Sequence, residues 1–190
     1  MAKKRRGVDA SPPLQRGRPR RGVRFILLAA MSLDGRITAG KKEGSEWTSK
    51  ADKKFFFDEL DKCDAVIMGR KTFEAIKRPL TFRNRVVFTH SSVIPAKAGI
   101  QICFNGSARQ LLHLLKKQYW TRIAVVGGTS IYDWFLKRNL VDEIYLTLEP
   151  IVFGAGKPLT NLPLKKPRRF RLTSIKRLNR RGTLVLHYKI

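Results

Sequence analysis

Short apolar runs alternate with stretches of helical periodicity along most of this chain. RFILLAAMS (24–32) is continuously apolar and ends at Asp34-Gly35, the pattern of a strand buried on both faces. Residues 36–48 are rich in Gly and Lys and read as loop. Thr48 or Ser49 then caps a helix starting near Lys50, with Phe56, Leu60 and Cys63 on one face. DAVIMG (64–69) predicts a second buried strand, followed by a short helix from Arg70 to about Lys77 that Arg78-Pro79 ends. RVVFTH (85–90) and IQICF (100–104) read as strands, with loop over 91–99. Ser107 caps a helix whose stripe is Ala108, Leu111, Leu112, Leu115 and Tyr119. IAVVGG (123–128) predicts a strand, and Ser130 to about Arg138 a helix. Three strands finish the chain, 143–154, 170–179 and 183–190, the last two joined by a hairpin turn at Asn179–Gly182. Strand–helix repeated four times and then strands alone predicts one α/β domain. Its central sheet is mostly parallel, with helices on both faces and an antiparallel C-terminal edge.

Composition adds charge to this picture. Of 190 residues, 40 are Lys or Arg and 14 Asp or Glu, a formal net charge of +26 that favours phosphate-bearing ligands. Residues 1–24 hold nine Lys/Arg, three Pro and three Gly, and are read as a disordered basic arm with the domain over 25–190. The arm has no apolar segment of the secretory kind, and no run is long enough to span a membrane. Residues 165–190 add ten Lys/Arg and no acid. Cys63 and Cys103 are too few for a disulfide scaffold and point to a reducing, cytoplasmic setting. His90, His113 and His187 share no ligand spacing with them, so no metal site is expected.

Two strand ends carry glycine and then a helix: Gly69-Arg70-Lys71-Thr72 and Gly127-Gly128-Thr129-Ser130. Helix N-terminal amides with a hydroxyl beside them bind anions, and two such junctions suit an extended polyphosphate ligand. Turn glycines and capping hydroxyls alone account for the same residues. Neither junction has the standard Rossmann or Walker spacing.

MGRKTFEAIKRPLTFRNRVVFTH (68–90) resembles the cofactor segment of dihydrofolate reductases. VVGGTSIYDWFLKRNLVDEIYLTLEPIVFGAGKPL (125–159) is similar to the reductase domain of the riboflavin-biosynthesis deaminase–reductase family, which shares that fold. AAMSLDGRI (29–37) and SEWTSKADKKFFFDEL (45–60) complete the pattern in the same order. The resemblance implies a dihydrofolate reductase-like, three-layer fold and an NADPH-dependent reductase, with NADH the alternative cofactor. It implies that Gly69, Arg70, Lys71 and Thr72 hold the pyrophosphate, and that Thr89, His90 and Ser91 lie near the ribose 2′-phosphate. Gly127, Gly128, Thr129 and Ser130 would lie under the diphosphate and nicotinamide ribose, and Ala30, Gly35 and Ile37 would border the nicotinamide. Asp52, five residues after Trp47, matches the spacing of the folate enzymes' active-site acid. The first turn of a helix also favours an acid for its dipole alone.

The substrate implied is a ribosylaminopyrimidine 5′-phosphate whose ribose is reduced to the ribityl form. Trp47, Ser49, Arg78 and Arg83 are the candidate substrate contacts. Phe57-Asp58-Glu59-Leu60 stands where the riboflavin enzymes often carry a His-x-x-Arg pattern, so dihydrofolate or pterin reduction stays open. A nucleic-acid-binding protein on an inactive reductase scaffold is the reading from another class, through the basic arm and C-terminus. A homodimer is the expected assembly.

Overall fold

In the computed structural model of the protein, the residues described are 22–40, 45–75, 84–90, 101–163 and 167–190. An eight-stranded sheet is built from β1 (Arg24–Met31), β3 (Ala65–Gly69), β4 (Asn84–Phe88), β5 (Gln101–Phe104), β6 (Arg122–Val125), β7 (Val141–Leu148), β9 (Arg171–Arg177) and β10 (Leu184–Lys189). Its order is β5-β4-β3-β6-β1-β7-β10-β9. The pairings from β5 to β7 are all parallel, whereas β10 runs antiparallel to both β7 and β9.

The continuous apolar runs have two layers to fill. Phe25 and Leu27 of β1 point to the side where α3 (Ala108–Lys117) and α4 (Thr129–Lys137) bring Leu111, Leu115, Ile131 and Phe135. Ile26 and Leu28 point to the other side, with Val66, Met68 and Ala124, under Leu60 of α1 (Lys50–Leu60) and Phe73 of α2 (Arg70–Ala75). Alternation within each buried strand thus feeds both cores, as a sheet covered on both faces requires. Val23 is already buried, just before β1.

Local signals placed the helices well. Ser49 is the N-cap of α1, its side chain accepting from the Asp52 amide at 3.1 Å. Ser107 and Gln110 form a capping box on α3. Three expectations change. Residues 36–48 are not all loop: β2 (Arg36–Thr38) pairs with β8 (Lys157–Pro158), a partner about 120 positions away that leaves no local trace. A 3-10 turn covers Ser45–Trp47. Tyr119 is not on the apolar stripe of α3; the helix ends at Lys117, Tyr119 turns left-handed at φ 58° and is 89% exposed, and Trp120 is buried instead. The strand expected over 143–154 stops at Leu148, because Pro150 has no amide to extend the ladder and the chain turns toward the end of β1. The predicted loop at 91–99 and the end of the helix after Ala75 lie outside the described residues, as do residues 1–21 of the arm expected over 1–24, whose last residue, Arg24, instead opens β1.

Among the described residues no helix is long and apolar enough to cross a membrane. No group of three or more His, Cys, Asp or Glu there could hold a metal ion.

Candidate active site

Because β4, β3, β6, β1 and β7 are parallel neighbours, their carboxyl ends line up along one edge of the sheet. At about 4.8 Å between strands, that row is about 19 Å long. It brings both glycine–helix junctions together. The Val126 amide donates to Ile67 O at 2.9 Å and the Gly69 amide to Gly127 O at 2.9 Å, so the β3–β6 ladder runs to the glycines themselves. Gly69 is the register partner of Phe88, which places Thr89 and His90 on the next strand end. Arg70 is exposed and pairs with Glu74 one turn on at 3.5 Å, while Lys71 is exposed beside it. The Thr89 amide donates to Phe104 O at 3.0 Å, and the exposed His90 ring nitrogen Nδ1 meets Asn105 Nδ2 at 2.9 Å. Ser91, Arg78 and Arg83 lie outside the described residues.

The glycines lack side chains for different reasons. Gly127 has φ 99°, and a Cβ there would lie 2.8 Å from Cζ and from Oη of Tyr132. That buried ring passes beneath the turn to donate its hydroxyl to Leu28 O at 2.8 Å. Burial pushes the Tyr132 hydroxyl well above its ordinary range, so it stays a donor. At Gly69 a Cβ would meet Ile131 Cγ1 at 3.2 Å, a packing contact between β3 and α4. Gly128 is different. Among the described residues a Cβ there would meet only the Thr72 hydroxyl, at 3.6 Å, so they leave the space above Gly128 open and bordered by the other junction.

Gly128 is also the N-cap of α4 and caps it with no side chain. No described residue accepts from the amides of Thr129 and Ser130, the first two of the helix. The Thr129 hydroxyl is turned away from that space, donating to Pro158 O at 2.7 Å, whereas Ser130 is exposed. The arrangement fits an anion: free amides at the positive end of a nine-residue helix, the Thr72 hydroxyl opposite, and Lys71 nearby in chain.

At the other end of the row sits an acid. Asp52 lies in the first turn of α1 and is only 7% exposed. Its carboxyl is hydrogen-bonded to the side chains of Thr147 and Thr48. Thr147 is the register partner of Ala30, so the acid stands one strand from the end of β1. Burial raises the Asp52 pKa above the usual carboxylate range and the charge of Glu149 adds to it, against the two hydroxyls and Lys53. Ser49 spends its hydroxyl on capping α1 and its amide on Glu149, to which it donates at 2.8 Å. Trp47 packs edge-to-face on Phe153 with ring centroids 5.0 Å apart.

The turn after β1 is braced from the far end of the chain. Gly35 takes φ 77°, with open space where its Cβ would stand. Asp34 accepts from the Ser32 hydroxyl at 2.6 Å and from the amides of Phe153 and Gly154 at 3.1 and 2.9 Å. The Ser32 hydroxyl, with those amides, lowers the Asp34 pKa despite some desolvation. Ile37, in β2, packs against the α3–α4 core. Gly35 and Ile37 therefore belong to the braced segment that follows β1, and Ala30 lies near the end of that strand, across from the Thr147 that bonds Asp52.

A family model described as the RibD C-terminal domain matches residues 24–184. The chain belongs to that family. As a RibD C-terminal domain it is a reductase-like protein, and its similarities run to both branches of the fold. It is 29% identical over 160 residues to the "Uncharacterized protein YwjB" of Bacillus subtilis, covering 76% of this chain and 91% of that one. It superposes on RibD of Acinetobacter baumannii (form 1) with a TM-score of 0.74 at 23% identity, over 88% of this chain and 58% of that one. With dihydrofolate reductase from Enterococcus faecalis, complexed with NADP(H) and RAB-propyl, the TM-score is 0.64 at 21% identity, over 89% and 96% of the two chains. These structural likenesses establish the dihydrofolate reductase-like fold.

Four polar residues of this RibD C-terminal domain escaped sequence reasoning: Tyr132, Thr147, Glu149 and Thr183. Thr147 and Glu149 did carry a signal. They are polar at i and i+2 in an otherwise apolar run, hence on one face, and both are buried. Tyr132 looks like any apolar position of α4, and nothing local marks its bond to Leu28, 104 residues away in sequence.

Proposed function

We propose that this chain is an NADPH-dependent reductase that converts the ribose of a ribosylaminopyrimidine 5′-phosphate to the ribityl form, with Asp52 as its acid. One observation carries the reading: the open space at Gly128, between the free amides of α4 and the Thr72 hydroxyl, shares a sheet edge with a buried acid. Gly69 to Thr72 and Gly127 to Ser130 would hold the diphosphate, with Thr89 and His90 toward the adenosine side. NADPH, when bound, supplies the hydride. The chain's own residues then orient the ring against the Ala30–Ile37 wall, and Asp52, shielded from water, holds a proton for the substrate. The amides and cations along the edge favour a phosphorylated substrate, and membership of the family favours the pyrimidine over a pterin. Fluorescence titration with NADPH, and with NADH as comparison, tests the cofactor. Product analysis with ribosylaminopyrimidine phosphates and dihydropterins then tests the substrate. Absence of binding at millimolar NADPH would sink the reductase reading, and turnover of dihydropterins alone would reassign the substrate.

A second reading rests on the C-terminal hairpin. Every residue of β9 is exposed, and residues 167–190 carry eight Lys/Arg and no acid. That stripe, with the basic arm, suits a nucleic-acid backbone. Binding to duplex or RNA should weaken steeply with salt and fall on deleting residues 1–21 or on replacing Arg180 and Arg181 with Glu. Binding indifferent to salt would remove it.

A further inference from the structure

Glu149 follows the last residue of β7, is 5% exposed, and has no counter-ion among the described residues. Both of its oxygens are occupied. Oε1 accepts from the Ser49 amide at 2.8 Å, and Oε2 accepts from the Thr183 hydroxyl at 2.7 Å. The Thr183 hydroxyl accepts in turn from Asn179 Nδ2 at 2.8 Å, and the Thr183 amide donates to Asn179 Oδ1 at 3.2 Å. The β9–β10 hairpin turn is thereby tied through Glu149 to the N-cap of α1, four residues before the acid's own turn is complete.

We propose that Glu149 is the positioning residue of the active-site acid, fixing the start of α1 and keeping the site's exchangeable proton on Asp52. The inference deepens the reductase reading and rests on it for the role of Asp52. The argument from bonding is asymmetric between the two carboxyls. A backbone amide only donates, so the Ser49 amide suits Glu149 as an anion, and the Asn179 donor turns the Thr183 hydroxyl toward it. Asp52 is bonded to the hydroxyls of Thr48 and Thr147, and a hydroxyl rotates to donate to a carboxylate or to accept from a carboxylic acid. Two neighbouring carboxyls shielded from water resist double ionisation. The proton therefore resides where the partners tolerate it, on Asp52. The charged groups acting on Asp52 are Glu149, from the segment after β7, and Lys53, from α1; Glu149 favours the proton and Lys53 opposes it. Burial works in the same direction as Glu149.

The test is a carboxyl ¹³C NMR titration of the full chain without ligands, comparing wild type with Glu149→Gln. In Glu149→Gln, with the fold checked by circular dichroism, the Asp52 midpoint should fall, because the like charge that favours its proton is gone. An unchanged Asp52 midpoint in the folded variant would overturn the proposal. Should Glu149→Gln not fold, Thr183→Val removes one donor from the Glu149 anion. The Asp52 midpoint should then fall as well, and an unmoved midpoint would equally overturn it. Since the titration needs neither NADPH nor substrate, it stands or falls apart from the cofactor test.

Discussion

Replacing Gly127 and Gly35 in parallel separates two reasons for a glycine. Both have positive φ, 99° and 77°, but a Cβ on Gly35 meets nothing within 4 Å, while one on Gly127 meets the Tyr132 ring and hydroxyl at 2.8 Å. Gly35→Ala therefore carries only the backbone cost of a left-handed conformation, about 1–2 kcal/mol, partly offset by about 0.4–1 kcal/mol from a stiffer unfolded chain. Gly127→Ala adds overpacking of about 1–3 kcal/mol, because Tyr132 is held beneath it by the bond to Leu28 O and has no room to retreat. The totals are about 1 kcal/mol at Gly35 and about 2–4 kcal/mol at Gly127. For a chain of this size these correspond to a Tm lower by about 2–4 °C and about 4–16 °C. Thermal unfolding followed by circular dichroism, with the midpoints compared at one pH and salt, reads the difference. Equal losses for the two variants would refute the view that Tyr132, rather than backbone conformation, keeps Gly127 bare.

Three further outcomes are expected. Asp52→Asn should lower turnover by about 10²–10⁴-fold, the range for a general acid, and unchanged turnover would remove Asp52 from the chemistry. The raised pKa of Asp52 also sets a sign for stability: its contribution is fully present below the ordinary carboxylate value of 3.8 and is lost as pH rises through the folded value. Asp52→Asn should therefore gain on wild type between acid and neutral pH, read as a growing difference in Tm. Asp34 has a lowered pKa, so its contribution is present above 3.8 and is lost as pH falls through the folded value; Asp34→Asn should speed hydrogen exchange at the Phe153 and Gly154 amides while leaving the β-sheet amides protected.

The readable part of the site was the part built from contiguous residues. Gly69 to Thr72 and Gly127 to Ser130 each join a strand end to a helix start within four positions, so the junctions show in the chain as written. Asp52 was legible through its place in the first turn of α1 and its resemblance to the folate enzymes. Its surroundings were not, because the Thr147 hydroxyl bonded to it and the Glu149 charge acting on it come from 95 and 97 positions further on. Ser49 was read as a substrate contact, yet its hydroxyl and amide are engaged by Asp52 and Glu149 within the fold.

Sequence by itself determined the alternation of strands and helices, the two-sided burial of the parallel strands and the antiparallel edge. Periodicity, caps and turn residues act over a few positions, and the hydrophobic effect acts on each face separately. Only the tertiary structure decided why each glycine is bare. Of the three junction glycines, Gly127 yields to Tyr132 and Gly69 to Ile131, while Gly128 meets only the Thr72 hydroxyl among the described residues. It also decided that Asp34 braces the 149–156 segment and that Asp52 has a second carboxylate for company. Those contacts join residues about 100 positions apart, and their energies arise only once the sheet has brought the strand ends side by side.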